Sequence, residues 1–301
     1  MLSIRLNVIL IAFFGLISCE GGKGKTNEFQ INDASIEDYD SIKPLGMVQT
    51  SEELVLEKAT SYKDLWKYKR LAISEDELDS VSQLYEDFSK VLLELHLIDS
   101  GNEEIFKIIN GLPGIEAVEI VFPFDKKPRL GLYYLTNLKY LEVRHYSEPN
   151  CAEINSLKDL KHLFLSHNHF KIPDDFGSGL NLSSLGMFLG VGDPDTNQLP
   201  IGIQKMKSLQ EFCGSKLKLQ KIPFNSEDNP NLKIIILDCC PVENAEFDNF
   251  LEMTSLDTIE SLHDYVFDKL DSQKVHENYE VIGDEYNTVY MLVRKKSKNL
   301  D

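Results

Sequence analysis

The sequence predicts an α/β chain, a solenoid of about nine short units whose strands line up as one parallel sheet. Three observations carry that prediction. Apolar residues recur at a pitch of about 23 residues: Leu92, Leu95 and Leu97; Ile115, Val118 and Ile120; Leu138, Leu141 and Val143; Leu160, Leu163 and Leu165. Looser copies follow at Leu185 and Phe188, Leu209 and Phe212, Leu232, Ile235 and Leu237, and Leu256 and Ile259. With Leu71 placed ahead, the middle positions fall at 71, 95, 118, 141, 163, 188, 212, 235 and 259, and self-similarity at a fixed period of this size marks stacked units. Second, one such unit cannot bury its own apolar edge, so neighbours must share a core. Third, 42% of the 301 residues are hydrophobic, ample for one elongated core.

Each unit reads Leu-x-x-Leu-x-Leu, and the fullest copy continues through Asn168, Phe170, Ile172 and Pro173. Leu199-Pro200 and Ile222-Pro223 repeat its ending. This pattern resembles the leucine-rich repeat family over roughly residues 65 to 262. The resemblance implies a curved horseshoe with a parallel β-sheet on the concave face. It also implies that an asparagine bonds the exposed backbone where the chain leaves the sheet. Asn168 keeps that residue and Cys240 replaces it, whereas Ser100, Pro123 and Tyr146 hold the slot elsewhere. Glycine takes the third apolar position at Gly190 and Gly214, which either leaves room in the core or signals a shifted register. With a shift, Phe188 faces outward and Met187 and Leu189 inward.

Taken in chain order, the first element is a leader. Arg5 precedes an apolar run from Val8 to Ile17 that Leu16-Ile17-Ser18-Cys19 closes. About ten residues are too few to span a bilayer as a mature helix, and the basic start with a small-residue end reads as a secretory signal. The ending is similar to a bacterial lipobox. That resemblance implies that residues 1–18 are a lipoprotein signal peptide and that Cys19 becomes the lipidated N-terminus. An ordinary signal peptide with an incidental cysteine is the alternative.

Residues 19–49, opening with Gly21-Gly22-Lys23-Gly24-Lys25, read as a flexible tether with little to bury. Thr50 and Glu53 fit a capping box ahead of Leu54, Val55 and Leu56. A helical cap there would cover the first unit, since an uncapped stack exposes its core. Residues 50–262 thus form the repeat domain with its N-terminal cap. Beyond it, Tyr279-Glu-Val-Ile and Thr288-Val-Tyr-Met-Leu-Val read as strands of a hairpin around Gly283 and Asp284. Residues 263–301 form this C-terminal cap, too short for an independent enzyme domain.

The formal charge is −18, and losing residues 1–18 would remove Arg5 and leave about −19. So acidic a surface disfavours nucleic acid and anionic headgroups outside the lipid anchor. Besides Cys19 there are Cys151, Cys213, Cys239 and Cys240. An exported protein could pair them, but the repeat register sets Cys213 beside Ile236 and brings no two together, so all four are expected unpaired.

In leucine-rich repeat proteins the residues flanking the middle apolar position face solvent on the concave sheet. One such column here holds Arg70, Glu94, Ala117, Tyr140, His162, Met187, Glu211, Ile234 and Thr258; the other holds Ala72, His96, Glu119, Glu142, Phe164, Leu189, Cys213, Ile236 and Glu260. The expected partner-binding set is Tyr140, Glu142, His162, Phe164, Met187, Leu189, Glu211, Ile234 and Ile236. It is an aromatic and apolar patch with an acidic rim, the composition of a protein interface. The alternative is that Met187 and Leu189 are core residues in a shifted register.

His145 and His167 hold matching slots, with His162, His169 and Glu142 nearby in sequence or register. Imidazoles with a carboxylate could hold zinc, but turn histidines on a solvated edge are commoner, and no metal or other cofactor is expected. Gly-x-Ser-x-Gly, His-Glu-x-x-His and a phosphate loop are missing, so no catalytic residue is assigned. The expectation is a monomeric, non-enzymatic lipoprotein of the bacterial cell envelope, at the outer membrane or cell surface in preference to the inner membrane. It would bind a protein ligand through its concave face. Glycan binding or processing is the alternative, with Tyr140 and Phe164 as sugar-stacking platforms.

Overall fold

A computed structural model describes residues 69–80, 86–97, 103–122, 131–144, 150–168, 172–189, 199–215, 217, 219, 224–238, 240, 251–261, 272–283 and 290–295. The expected leader, Cys19, the tether and the Thr50 cap lie outside the described residues, as do His145, Tyr146, His169, Gly190 and Cys239.

Among the described residues, eleven strands form one open, mostly parallel sheet. They are β1 (Lys69–Ser74), β2 (Val91–His96), β3 (Ala117–Val121), β4 (Tyr140–Arg144), β5 (His162–Asn168), β6 (Ser184–Leu189), β7 (Glu211–Ser215), β8 (Ile234–Asp238), β9 (Thr258–Ser261), β10 (Tyr279–Gly283) and β11 (Tyr290–Arg294). From β1 to β9 each strand pairs in parallel with the next, whereas β11 joins β9 antiparallel and β10 joins β11 antiparallel. These last two are the strands expected around Gly283 and Asp284. Short helices α1 (Glu103–Gly111), α2 (Asn150–Ile154) and α3 (Ile201–Gln204) lie in the connections, and α4 (Ser272–Asn278) leads into β10.

One lateral row of the sheet runs Leu71, Leu93, Val118, Leu141, Leu163, Leu185, Phe212, Ile235 and Ile259. A second core row holds Ile73, Leu95, Ile120, Val143, Leu165, Met187, Gly214 and Leu237. Because alternate strand residues share a face, both rows enter the same core, where all but Leu71 are buried. Gly214 leaves space that Leu217 fills: a Cβ there would stand 2.5 Å from Leu217 Cδ1.

The expected register needs two corrections. Leu93, not Leu95, lies beside both Leu71 and Val118. A shift of two keeps each side chain on its face but moves Glu94 into the row of Glu119 and Glu142, and His96 one row further. At β6 the middle residue is Leu185, not Phe188. That odd shift exchanges faces, so Met187 is a core residue, fully buried between Leu165 and Gly214. The expectation that Met187 points to solvent is therefore corrected. Leu182, Leu185 and Met187 satisfy the Leu-x-x-Leu-x-Leu spacing, all with no exposed surface. An even pitch misleads here because Leu163 and Leu185 are 22 residues apart but Leu185 and Phe212 are 27 apart.

The strand entries share a hydrogen-bond pattern. The carbonyls of Glu116, Lys139, Lys161, Ser183, Gln210 and Lys233 each accept two successive N–H groups at the next strand's start, as Lys139 O does from Lys161 and His162. Side chains on the connections then bond the backbone of the neighbouring connection, which satisfies groups that irregular chain would otherwise leave unpaired. Glu153 Oε2 accepts from Gly131 N and Leu132 N at 3.0 and 2.9 Å. Asn155 Oδ1 accepts from Gly177 N at 2.7 Å, and fully buried Asn229 donates to Met206 O at 3.2 Å.

Candidate functional site

The sheet face opposite the main core carries three rows of side chains, and the expected site residues divide among them. Tyr140, His162, Ser184, Glu211 and Ile234 stand side by side in the first. The second runs Glu94, Glu119, Glu142, Phe164, Gly186, Cys213, Ile236, Glu260, Met291 and Ile282. The third holds His96, Val121, Arg144, Ser166, Phe188 and Ser215. Tyr140, Glu142, His162, Phe164, Glu211, Ile234 and Ile236 thus share the expected face. Ser184 and Gly186 stand where Met187 and Leu189 were expected, and the Leu189 side chain lies outside the described ones.

Exposure differs from expectation. The two columns are expected to face solvent, yet Tyr140, Phe164, Cys213 and Ile236 are buried with Leu92 and Ala117 in a second apolar cluster, against which half-buried Phe188 and Ile234 pack. Glu119, His162, Glu211 and Glu260 are buried as well. Neighbouring rows bring the aromatic rings together: Phe164 stacks on Phe188 with centroids 5.6 Å apart and 21° between planes. Tyr140 lies 6.4 Å from Phe164. Gly186 makes this packing possible, because a Cβ there would meet Phe164 Cε1 at 2.3 Å.

Toward β2 the face turns polar. Glu94, Glu119 and Glu142 occupy adjacent strands, and Arg144 from the next row reaches two of them, with a nitrogen 2.6 Å from Glu119 Oε1 and Nε donating to Glu142 Oε1 at 3.1 Å. Burial works against the Arg144 charge, but Glu142, Glu119 and Glu94 together outweigh it and hold its pKa above the ordinary value. Tyr140 donates to Glu142 Oε2 at 2.9 Å, and His96 Nε2 lies 2.9 Å from Glu94 Oε1. Arg144 was not among the residues singled out in the sequence. Extending the strand alternation one step past Glu142 would have found it.

The hydroxyls of Ser166 and Ser184 are buried on this face with no hydrogen-bond partner among the described residues. Cys151, Cys213 and Cys240 are buried, and Cys213 lies beside Ile236 as expected. The Cys240 thiol, just after β8, donates to the Gly214 carbonyl at 3.4 Å, so it bonds the backbone of the neighbouring strand β7.

No group of three or more His, Cys, Asp or Glu is placed to hold a metal among the described residues; His145, His169 and the His167 side chain lie outside them. An open groove of about 480 Å³ lies along the connections, lined by Asp174, Ser178, Asn181, Lys205 and Lys207, away from the sheet face. No described helix is long and apolar enough to cross a membrane. Neither the family models nor the curated proteins include a match to this chain.

Proposed function

We propose that this chain is an exported leucine-rich repeat lipoprotein, anchored through Cys19, that binds a protein partner with the sheet face opposite its core. Support for the repeat reading comes from the recurring two-to-one bonds at the strand entries and from the lateral rows of apolar residues. Repeats of this kind stack into a curved horseshoe with that face concave. The binding reading rests on one observation: aromatic and aliphatic side chains are gathered on the sheet's second face, bordered by carboxylates. Tyr140, Phe164 and Ile236 are packed before any partner arrives, so little side-chain ordering is needed on binding. Contact runs through half-buried Phe188, Ile234, Glu142 and Arg144 around them.

Two experiments test this. Exchanging Phe188 and Ile234 for serine removes apolar contact surface and changes none of the six buried residues of the cluster. Cross-linking on intact cells, with partners identified by mass spectrometry, should recover a protein with the parent chain and lose it with the double variant. Unchanged protein capture would defeat the assigned face, and loss of glycan binding instead would favour the sugar-stacking alternative. For the anchor, Cys19→Ala should abolish incorporation of a labelled fatty acid and release the chain from membranes. Surface proteolysis of intact cells then distinguishes an external from a periplasmic address.

A further inference from the structure

The groove of about 480 Å³ runs between two successive connections, residues 174–181 ahead of β6 and residues 201–208 ahead of β7. The two stack in parallel: Gly202 N donates to Asp174 O at 2.9 Å at one end, and Gln210 N donates to Ser183 O at 2.8 Å just beyond the other. Asp174 and Asp175 therefore mark one end, Asn181, Lys207 and Ser208 mark the other, and Lys205 stands between them. Buried Leu180 and Met206 line the wall. Ile201, at the acidic end, is 49% exposed, the most open large hydrophobic residue among the described ones. Elsewhere outside the strands, Lys107, Lys139, Lys158 and Lys274 each reach a carboxylate or a backbone carbonyl. Among the described residues, by contrast, no side-chain hydrogen bond or ion pair engages Asp174, Asp175, Lys205, Lys207, Ser178 or Asn181. The groove thus holds opposite charges apart, each open to a ligand.

We propose that this groove binds a short peptide with free ends, its ammonium toward Asp174 and Asp175, its carboxylate toward Lys205 and Lys207, and an apolar first side chain on Ile201. A lone anion or a lone cation would meet charges of both signs, whereas a dipolar ligand sets each of its charges against the opposite one. The neighbouring charges keep that polarity. At the Asn181 end Lys158 and Lys161 donate to Gly179 O and Asn181 O, and Asp159, between them in sequence, offsets one of the two. Between the charged ends, the Ser178 and Ser208 hydroxyls and the Asn181 amide can both donate and accept, which suits peptide C=O and N–H groups. Three extended residues span about 10 Å, and a groove of this volume is of the size that holds a small ligand. Phosphoethanolamine carries the same two charges but only two carbons apart, and it offers Ile201 no side chain. The site is separate from the proposed concave binding face and does not depend on it.

The test titrates the isotope-labelled full-length chain with leucyl-glycyl-glycine and follows the amide signals of Gly177 and Gly202 by NMR. Both should shift and saturate with the free peptide. Acetylating its N-terminus or amidating its C-terminus should each weaken binding several-fold, because each removes one charged contact on an exposed surface. The double variant Asp174→Asn, Asp175→Asn should lose the discrimination against the acetylated peptide and keep that against the amidated one; Lys205→Gln with Lys207→Gln should do the reverse. Phe188→Ser should change none of this, which separates the groove from the concave face. No saturable shift at the two glycines overturns the proposal, and so does equal binding of the free and blocked peptides. Tighter binding of phosphoethanolamine than of the peptide also overturns it, since the ligand would then be a headgroup.

Discussion

The guanidinium of Arg294 lies 4.7 Å from the ring centroid of Tyr279 and donates to its hydroxyl at 2.6 Å. The two residues face each other across the β10–β11 pair. The same guanidinium donates to Leu256 O at 2.7 Å and Met253 O at 2.5 Å, in the turn that leads into β9. One side chain therefore fastens the C-terminal hairpin to the rest of the sheet. Replacing it with methionine keeps most of the packing and loses charged hydrogen bonds, for an expected cost of about 2–3 kcal/mol. Lysine, lacking the planar fork, should restore only part of that. Urea denaturation measures both, and an Arg294→Met variant as stable as the parent would contradict this role.

Alkaline pH should weaken the same junction. Burial raises the Tyr279 pKa above the usual tyrosine value, and Arg294 offsets only part of the rise. A raised folded pKa means that the stabilisation is fully present below the unfolded value, about 10, and is lost as pH climbs through the folded one. The parent should therefore lose stability relative to Tyr279→Phe above about pH 10. Denaturation midpoints from pH 7 to 11 check it; a constant gap between the two proteins over that range would exclude the effect.

Much of this architecture is written in the comb, and the reason is local. Positions such as Leu141, Leu163 and Ile235 sit in short segments where only one apolar spacing fits, so their strands and rows could be read directly. In Val91 to Leu97 the full spacing match, Leu92, Leu95 and Leu97, is not the set that the strand register uses, and in Leu182 to Leu189 an even pitch favours Phe188 over the full match at Leu182, Leu185 and Met187. The misplaced Met187 follows from the uneven pitch on either side of Leu185. The aromatic stack was only partly visible, since Phe188 joins Phe164 once the face is exchanged. Glu153, Asn229 and Arg294 bond backbone 21 to 43 residues away. No local pattern announces such pairs, because they meet only after neighbouring connections stack.

Arg144 links the polar end of the candidate face. It pairs with Glu119, whose side chain is fully buried, and with half-buried Glu142. Arg144→Met takes a positive charge from among three glutamates, and breaking so partly buried a pair should cost about 1–3 kcal/mol, less than for a fully buried one. Adding Glu119→Gln removes the charge left behind and should recover part of the loss. A full set of four proteins, unfolded in urea at low and high salt, measures the coupling. Additive losses would show that the pair is not an energetic unit.

Gly186 and Phe164 should prove the most strongly coupled pair on that face. The Phe164 ring covers Gly186 so closely that a Cβ would lie 2.3 Å from Cε1 and 2.5 Å from Cδ1. Gly186→Ala must therefore displace the ring, and with it the stack on Phe188, for an expected cost of about 1–3 kcal/mol from overpacking. Removing the ring removes the conflict. In a Phe164→Ala background the same alanine at 186 should be neutral or slightly stabilising, because glycine within a strand is unfavourable by roughly 0.5–1 kcal/mol relative to alanine. The double-mutant cycle should thus yield a coupling of at least about 1 kcal/mol. If Gly186→Ala destabilises both backgrounds equally, the glycine is required for the strand itself and not for seating Phe164. If the expected coupling is found, Gly186→Ala also becomes a probe of partner binding, since it moves Phe164 and Phe188 without changing a charge on the face.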